Sequence, residues 1–151
     1  MTTDVSKFKA SILSSVGTIE GSNLSEHRVL VVRDDRGNIK VSAQVWWRDA
    51  EKDSWKPGKG FFLSGRIAIQ LADVINKMLD GLPCRPVVEL TNTQRYVVEK
   101  DDKLLSIKKM WRKDDSTEDW RLGKSLELPL VKAKHLVSML GTAGLKTIHS
   151  K

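Results

Sequence analysis

At 151 residues and 17.0 kDa the chain has the length of one domain or of two very small ones. With 40% apolar and 30% charged residues it has a globular balance, without the ~18 consecutive apolar residues of a membrane span or a signal-peptide pattern after Met1. A lone cysteine, Cys84, excludes a disulfide framework and a multi-cysteine metal site and suits a reducing, intracellular compartment, while 26 Lys+Arg against 19 Asp+Glu favour anionic partners, nucleic acid first.

Residues 1–27 carry two basic and three acidic groups, are rich in Ser and Thr, and include Phe8, Ile12 and Leu13. They read as an N-terminal arm. Residues 28–82 hold ten bases and seven acids, and residues 83–151 fourteen and nine, so the surplus charge belongs to the body of the chain. That body repeats itself. Period-two alternation marks Val29–Arg33 and Ile39–Trp47 as a hairpin across Asp34-Asp35-Arg36-Gly37-Asn38. An acidic loop follows, then a short strand around Trp55-Lys56-Pro57-Gly58-Lys59-Gly60 and a fourth at Phe61–Leu63. Ser64 can cap a helix carrying Ile67, Leu71, Val74 and Met78 on one face, and Asp80-Gly81-Leu82-Pro83 stops it.

Residues 83–94 read as a linker or leading strand, and residues 95–144 as a second copy. There Tyr96–Lys100 and Leu104–Trp111 form the hairpin, followed by an acidic loop, Trp120-Arg121-Leu122-Gly123-Lys124-Ser125 and Leu126–Leu128. The second helix begins near Pro129, carries Ala133, Leu136, Val137 and Leu140, and stops at Gly141, leaving 145–151 as a tail. Trp47 and Trp111 lie 64 residues apart, Trp55 and Trp120 lie 65 apart, and two copies favour a closed pair over a solenoid. A ββββα unit of this size is marginal alone. The expectation is an α+β fold of two tandem ββββα repeats with curved antiparallel sheets, docked through their helices as an intramolecular pseudo-dimer.

All five tryptophans, Trp46, Trp47, Trp55, Trp111 and Trp120, rim the two acidic loops, and four are followed directly by a base: Arg48, Lys56, Arg112 and Arg121. Exposed indoles beside cations suit unpaired nucleic acid, since bases stack on them for ~1–3 kcal/mol each while Lys and Arg track phosphates. The alternative is that Trp46, Trp55 and Trp120 merely close the sandwich between sheet and loop. Trp47 and Trp111, at strand ends, are the stronger stacking candidates.

Arg28-Val29-Leu30-Val31-Val32-Arg33-Asp34, Gly37, Val45-Trp46-Trp47, Lys56-Pro57-Gly58-Lys59-Gly60 and Phe61-Phe62-Leu63-Ser64 together resemble the single-stranded DNA-binding domain of the transcriptional coactivator positive cofactor four. The resemblance covers ~55 residues, and the second repeat follows it more loosely through Arg95-Tyr96-Val97-Val98, Trp111 and Arg121–Lys124. It implies four curved strands and a helix, dimeric packing, and single strands held along the sheets. It assigns stacking to Trp47 and Trp111, and phosphate contacts to Arg28, Arg33, Lys56 and Lys59 and to Arg95, Lys108, Arg121 and Lys124. Two positions depart from that pattern. Asp35 stands where the family has a second stacking aromatic, and Gln44 where it has a base that Lys108 keeps in the second copy. The second half is therefore expected to bind more strongly. The tandem layout also resembles the purine-rich-element-binding family, another single-strand binder.

No enzyme chemistry stands out, and no cofactor or metal site is expected. Gly123-Lys124-Ser125 imitates the end of a phosphate-binding loop, but Glu118 replaces its first glycine. His27, His135 and His149 share no ligand spacing, and the pairs Asp34-Asp35, Asp101-Asp102 and Asp114-Asp115 read as solvated turns. The sequence points to a non-enzymatic, largely sequence-independent binder of single-stranded DNA, or of RNA, with room for a further homodimer. Its candidate contacts are Trp47, Trp55, Trp111, Trp120, Arg28, Arg33, Arg48, Lys56, Lys59, Arg95, Lys108, Arg112, Arg121 and Lys124. The alternative of another class is a regulatory module whose basic surface docks acidic proteins.

Overall fold

The structure is a computed structural model that describes residues 2–3, 10–21, 24–49 and 51–150; Phe8 of the expected arm lies outside them. The fold is α+β, with two four-stranded antiparallel sheets each followed by a helix. The first comprises β2 (Ala10–Glu20), β3 (Ser25–Asp34), β4 (Ile39–Asp49) and β5 (Ser54–Leu63), then α1 (Gly65–Leu79). A two-residue strand, β1 (Thr2–Thr3), adds parallel to β5 at Ser54–Trp55. The second comprises β6 (Val87–Thr91), β7 (Gln94–Lys100), β8 (Leu104–Trp111) and β9 (Arg121–Pro129). A single 3-10 turn at Leu130–Lys132 then leads into α2 (Ala133–His149).

Each unit has four strands, but they are divided differently from the sequence reading. Residues 10–20 are not an arm; they pair with β3 along their whole length. Two irregularities in that ladder, at Ile12/Ser14 and Ser15/Gly17, break the alternation, leaving Ile12 and Leu13 exposed and Ile19 as the buried apolar anchor. Conversely, Ser54–Leu63 is one strand and not two, because Pro57 needs no ladder partner for its absent N–H at this edge. In the second unit the strand likewise runs unbroken from Arg121 to Pro129, with Trp120 just outside it.

Helix α1 forms as expected. Ser64 Oγ accepts from the Ile67 N–H at 3.2 Å, and Gly81, at φ +69°, follows the helix end. Ile67, Leu71 and Ile75 are buried, each contributing about 1.5–3 kcal/mol of transfer free energy. Helix α2 does not stop at Gly141. It continues to His149 because Ala143, Gly144 and Thr147 beyond that glycine are buried, and packing outweighs the ~1 kcal/mol cost of a helical glycine. Residues 145–149 are therefore helix and not tail.

The helices cross closely where a Cβ on Gly144 would sit 2.7 Å from the Gly65 carbonyl and 2.6 Å from Ile69 Cγ1. At the far end Lys134 Nζ donates to Asn76 and Asp80 at 2.7 Å. Each helix also reaches the other unit's sheet. α2 lies against β2, β3 and β4, with Met139 Sδ over Gly17, and α1 lies against β6. The inner faces of both sheets join the two helices in one apolar cluster, in which Phe61 meets Tyr96 edge-on at 5.2 Å. Burial pushes the Tyr96 phenol up to about 12, so it stays neutral. A smaller cluster of Leu30, Val32, Trp46 and Trp55 covers the opposite face of the first sheet.

His27 on β3 contacts the Glu127 carbonyl on β9 at 2.9 Å, and Lys132 donates to the Glu20 carbonyl. Burial, only partly offset by that carbonyl and reinforced by Lys132, holds the His27 imidazole below its ordinary value near ~6.5. Between the lowered folded value and ~6.5 the unfolded chain binds the extra proton. This contribution to stability is thus complete above ~6.5 and is lost as pH falls through the folded value. Asp34, Asp101 and Asp114 are held below the usual carboxylate range, chiefly by hydrogen bonds from the Asn38 backbone, the Lys103 backbone and the Ser116 side chain respectively, so they act only at lower pH. The urea midpoint should decline between pH 7.5 and 5.5 in the wild type, and His27→Gln should remove most of that slope. An unchanged slope in the variant would exclude His27 as its source.

Candidate nucleic-acid interface

The 64- and 65-residue offsets reappear in the strand ladders. Trp47 lies opposite Lys56 across β4–β5, and Trp111 lies opposite Arg121 across β8–β9. Both ladders slip at the same place. Two β5 residues, Gly58 and Lys59, face the single Val45, and Gly123 is an extra β9 residue between the partners of Lys109 and Met110. Such bulges bend the strand and re-aim neighbouring side chains. They also create the seats of the two indoles. A Cβ on Gly58 would lie 2.7 Å from Cδ1 and Nε1 of Trp47, so the indole occupies the space a side chain would need. Gly123 lies beside the second indole without that tightness, its Cβ position being 3.4 Å from Trp111 Cδ1, an ordinary contact, and 3.2 Å from the Lys109 carbonyl.

The five tryptophans divide into two groups. Trp47 is 53% exposed and Trp111 43%, large values for indoles, whereas Trp46 is 0% and Trp55 9% exposed. Arg28 stands over Trp46 at 4.7 Å and Trp55 at 5.0 Å and pairs with Glu26 at 3.1 Å. Its guanidinium is committed inside the protein, and Trp55 is a packing residue. Trp120 is flanked by Arg95 at 4.0 Å and Arg112 at 4.5 Å. Arg112 also donates to the Asn92 and Thr117 carbonyls and pairs with Glu118, which fastens the 112–119 loop. These cation–π contacts fill the ring faces that a base would need. Trp55, Trp120, Arg28, Arg95 and Arg112 are therefore engaged in internal contacts.

The remaining candidates are dispersed. Arg48 is half-buried and pairs with Asp53, and Lys108 pairs with Glu99 at 2.8 Å. Arg33 is exposed but sits opposite Ile39 at the other end of β4, about 27 Å of strand from Trp47 at ~3.4 Å per residue. Lys56 and Arg121 flank the two exposed indoles, Arg121 at 5.8 Å from the Trp111 ring while pairing with Asp119 at 3.3 Å. Lys59 and Lys124 line one groove between β5 and β9. The hairpin register also differs from the sequence alignment. Arg28 is opposite Gln44 while Val97 is opposite Lys108, which makes Arg95 the counterpart of Glu26 and not of Arg28. The two-residue slip keeps every side chain on its face. Gln44 is buried, with Ser42 Oγ donating to it and its amide donating to the Gly58 carbonyl, so it supports the bulge.

Sequence reasoning missed Lys109, Phe62, Leu122 and the two glycine seats. Lys109 lies 6.0 Å from the Tyr96 ring, and its ammonium is pulled below the usual lysine range by burial and by the neighbouring charges of Lys124 and Lys40. The glycines had a signal: Trp55-Lys56-Pro57-Gly58 and Trp120-Arg121-Leu122-Gly123 share tryptophan, base and glycine at the same spacing. Among the described residues no group of three or more His, Cys, Asp or Glu could hold a metal ion, and no helix is long and apolar enough to cross a membrane. In comparison with known proteins, no family model matches the chain and no curated protein matches it.

The unequal seats give a stability prediction. Gly58→Ala should cost about 1–3 kcal/mol in urea unfolding, because the tight indole must move, and should change acrylamide quenching of the exposed tryptophans. Gly123→Ala should cost under about 1 kcal/mol. Equal costs would contradict the seating.

Proposed function

We propose that the chain is a non-enzymatic, largely sequence-independent single-stranded DNA-binding protein whose two sheet-and-helix units form an intramolecular pseudo-dimer. The observation that carries this reading is the pair of exposed indoles, Trp47 and Trp111, at equivalent bulges, each facing a cation across the ladder. A duplex hides its base faces, whereas every unpaired base offers one, so the arrangement favours single strands without favouring a sequence. The close helix crossing and the reach of each helix onto the other unit's sheet support the pseudo-dimer, since neither ββββα unit would bury its apolar faces alone.

Stacking is assigned to Trp47 and Trp111, and phosphate neutralisation to Lys56, Lys59, Arg121 and Lys124. Four such contacts, each worth ~0.7 in the salt slope on single strands, give about −3 for log K against log salt. Oligo(dT) should quench tryptophan emission with that slope and compete far better than blunt duplex. Trp111→Ala should weaken binding about tenfold and more than Trp47→Ala, because the first half has Gln44 and Asp35 where the family resemblance expects a base and an aromatic. Equal or tighter duplex binding would exclude base stacking as the source of affinity. Emission that ignores oligonucleotides but responds to polyglutamate would favour the docking of acidic proteins instead.

A further inference from the structure

Beside the second exposed indole lies a pocket of about 520 Å³ that Trp111 itself lines, within the range of small-ligand sites. It is formed by the end of β8, the start of β9 and the loop that joins them. Its lining sets two cations, Lys113 and Arg121, against two carboxylates, Asp114 and Asp119. That balance does not suit a run of phosphates. It suits the polar edge of a planar ring laid on the half-open indole.

The loop is fixed by its own hydrogen bonds. Arg112 ties it to the Asn92 and Thr117 carbonyls. Thr117 Oγ1 accepts from the Asp119 N–H at 3.0 Å, and the Trp120 N–H donates to the Glu118 carbonyl at 3.0 Å, so the backbone of Asp119 is held from both sides. The two carboxylates differ. Asp114 Oδ1 accepts from both the backbone and the hydroxyl of Ser116 and is committed to its own turn. Asp119 Oδ2 pairs with Arg121 at 3.3 Å, while its Oδ1 has no protein partner among the described residues. Both members of that ion pair are exposed, so it is weak and yields to a better donor.

An ionised carboxylate only accepts hydrogen bonds. Thymine turns two carbonyls and one N–H toward such a group, and adenine and cytosine each offer one amine beside a ring-nitrogen acceptor. Guanine alone presents two adjacent donors, N1–H and the N2 amine, which match the two oxygens of one carboxylate. Unpaired bases are read on this edge. The first unit lacks the arrangement. Ser54 precedes Trp55 where Asp119 precedes Trp120, and the loop before it is one residue shorter.

We propose that this pocket is a guanine-selective subsite, in which Trp111 stacks the base and Asp119 accepts from its N1–H and N2 amine, while Lys113 and the released Arg121 meet the adjoining phosphates. The inference rests on the single-strand reading and deepens it: a strand otherwise held without regard to sequence is selected at one nucleotide, by the second unit only.

The test titrates oligo(dT) strands carrying one interior dG, dI, dA or dC into the wild type and into Asp119→Ala, Asp119→Asn and Asp114→Asn, with tryptophan emission as the readout. Thermal melts confirm that each variant is folded. In the wild type one dG should raise affinity about tenfold over plain oligo(dT), the scale of one bidentate base contact. Inosine, which lacks the N2 amine, should keep about threefold, and dA and dC should stay within about twofold of oligo(dT). Both Asp119 variants should lose the dG gain while binding oligo(dT) at least as tightly, because a negative charge facing the strand has gone. Asp114→Asn should keep the gain. Equal gains from dG, dI and dA would assign the effect to purine stacking and overturn the subsite. A dG gain that survives in both Asp119 variants, or no dG gain in a wild type that binds oligo(dT), would overturn it too, leaving single-strand binding intact. Absence of binding to every strand in the wild type would overturn the single-strand reading itself, and the subsite with it.

Discussion

The architecture of the candidate interface turns on one steric exchange: an indole occupies the space that a side chain on the neighbouring strand would need. At Gly58 only glycine permits this; Gly123 stands at the equivalent bulge, where the approach to Trp111 is an ordinary contact. The bulge carries an extra residue, the bare backbone makes a seat, and the ring is supported from the protein side while remaining open to solvent. An indole fixed in this way loses little further freedom when a base settles on it, which lowers the entropic cost of binding. Trp46, Trp55 and Trp120 show the contrasting solution, in which guanidinium groups or apolar neighbours cover the rings and stabilise the fold.

The repeat, the α+β class and the first helix were legible because they rest on local signals: alternation in β3 and β4, a serine cap, an i, i+4 stripe, and a terminal glycine. What escaped reading depends on long-range packing. The alternation of β2 is interrupted by its two ladder irregularities, so a strand of 11 residues resembled a polar arm. Gly141 resembled a helix stop because the burial of Ala143, Gly144 and Thr147 beyond it comes from contacts distant in sequence. Trp47 and Trp111 were separable from the other indoles by their strand-end positions. The Arg28–Trp46–Trp55 and Arg95–Trp120–Arg112 groups were not separable, because adjacency of tryptophan and base in sequence looks the same whether the cation stands over a ring or beside it.

Charge follows the same division. Of the candidate cations, Arg28, Arg48, Arg95, Lys108 and Arg112 are engaged within the protein and Arg121 pairs with Asp119 beside Trp111, while Lys59 and Lys124 line the groove between β5 and β9 and Lys56 lies opposite Trp47. A formal charge of +7 therefore overstates the field available to a ligand, and the location of the groove matters more than the total.

The central claim, that two of five indoles are presented to unpaired bases, is most directly tested by following the five indole N–H resonances in a 15N-labelled sample titrated with oligo(dT). The signals of Trp47 and Trp111 should shift first and furthest, while those of Trp46 and Trp55 stay in place. A titration that moves the buried indoles equally, or leaves Trp47 and Trp111 unmoved while the strand binds, would contradict the account.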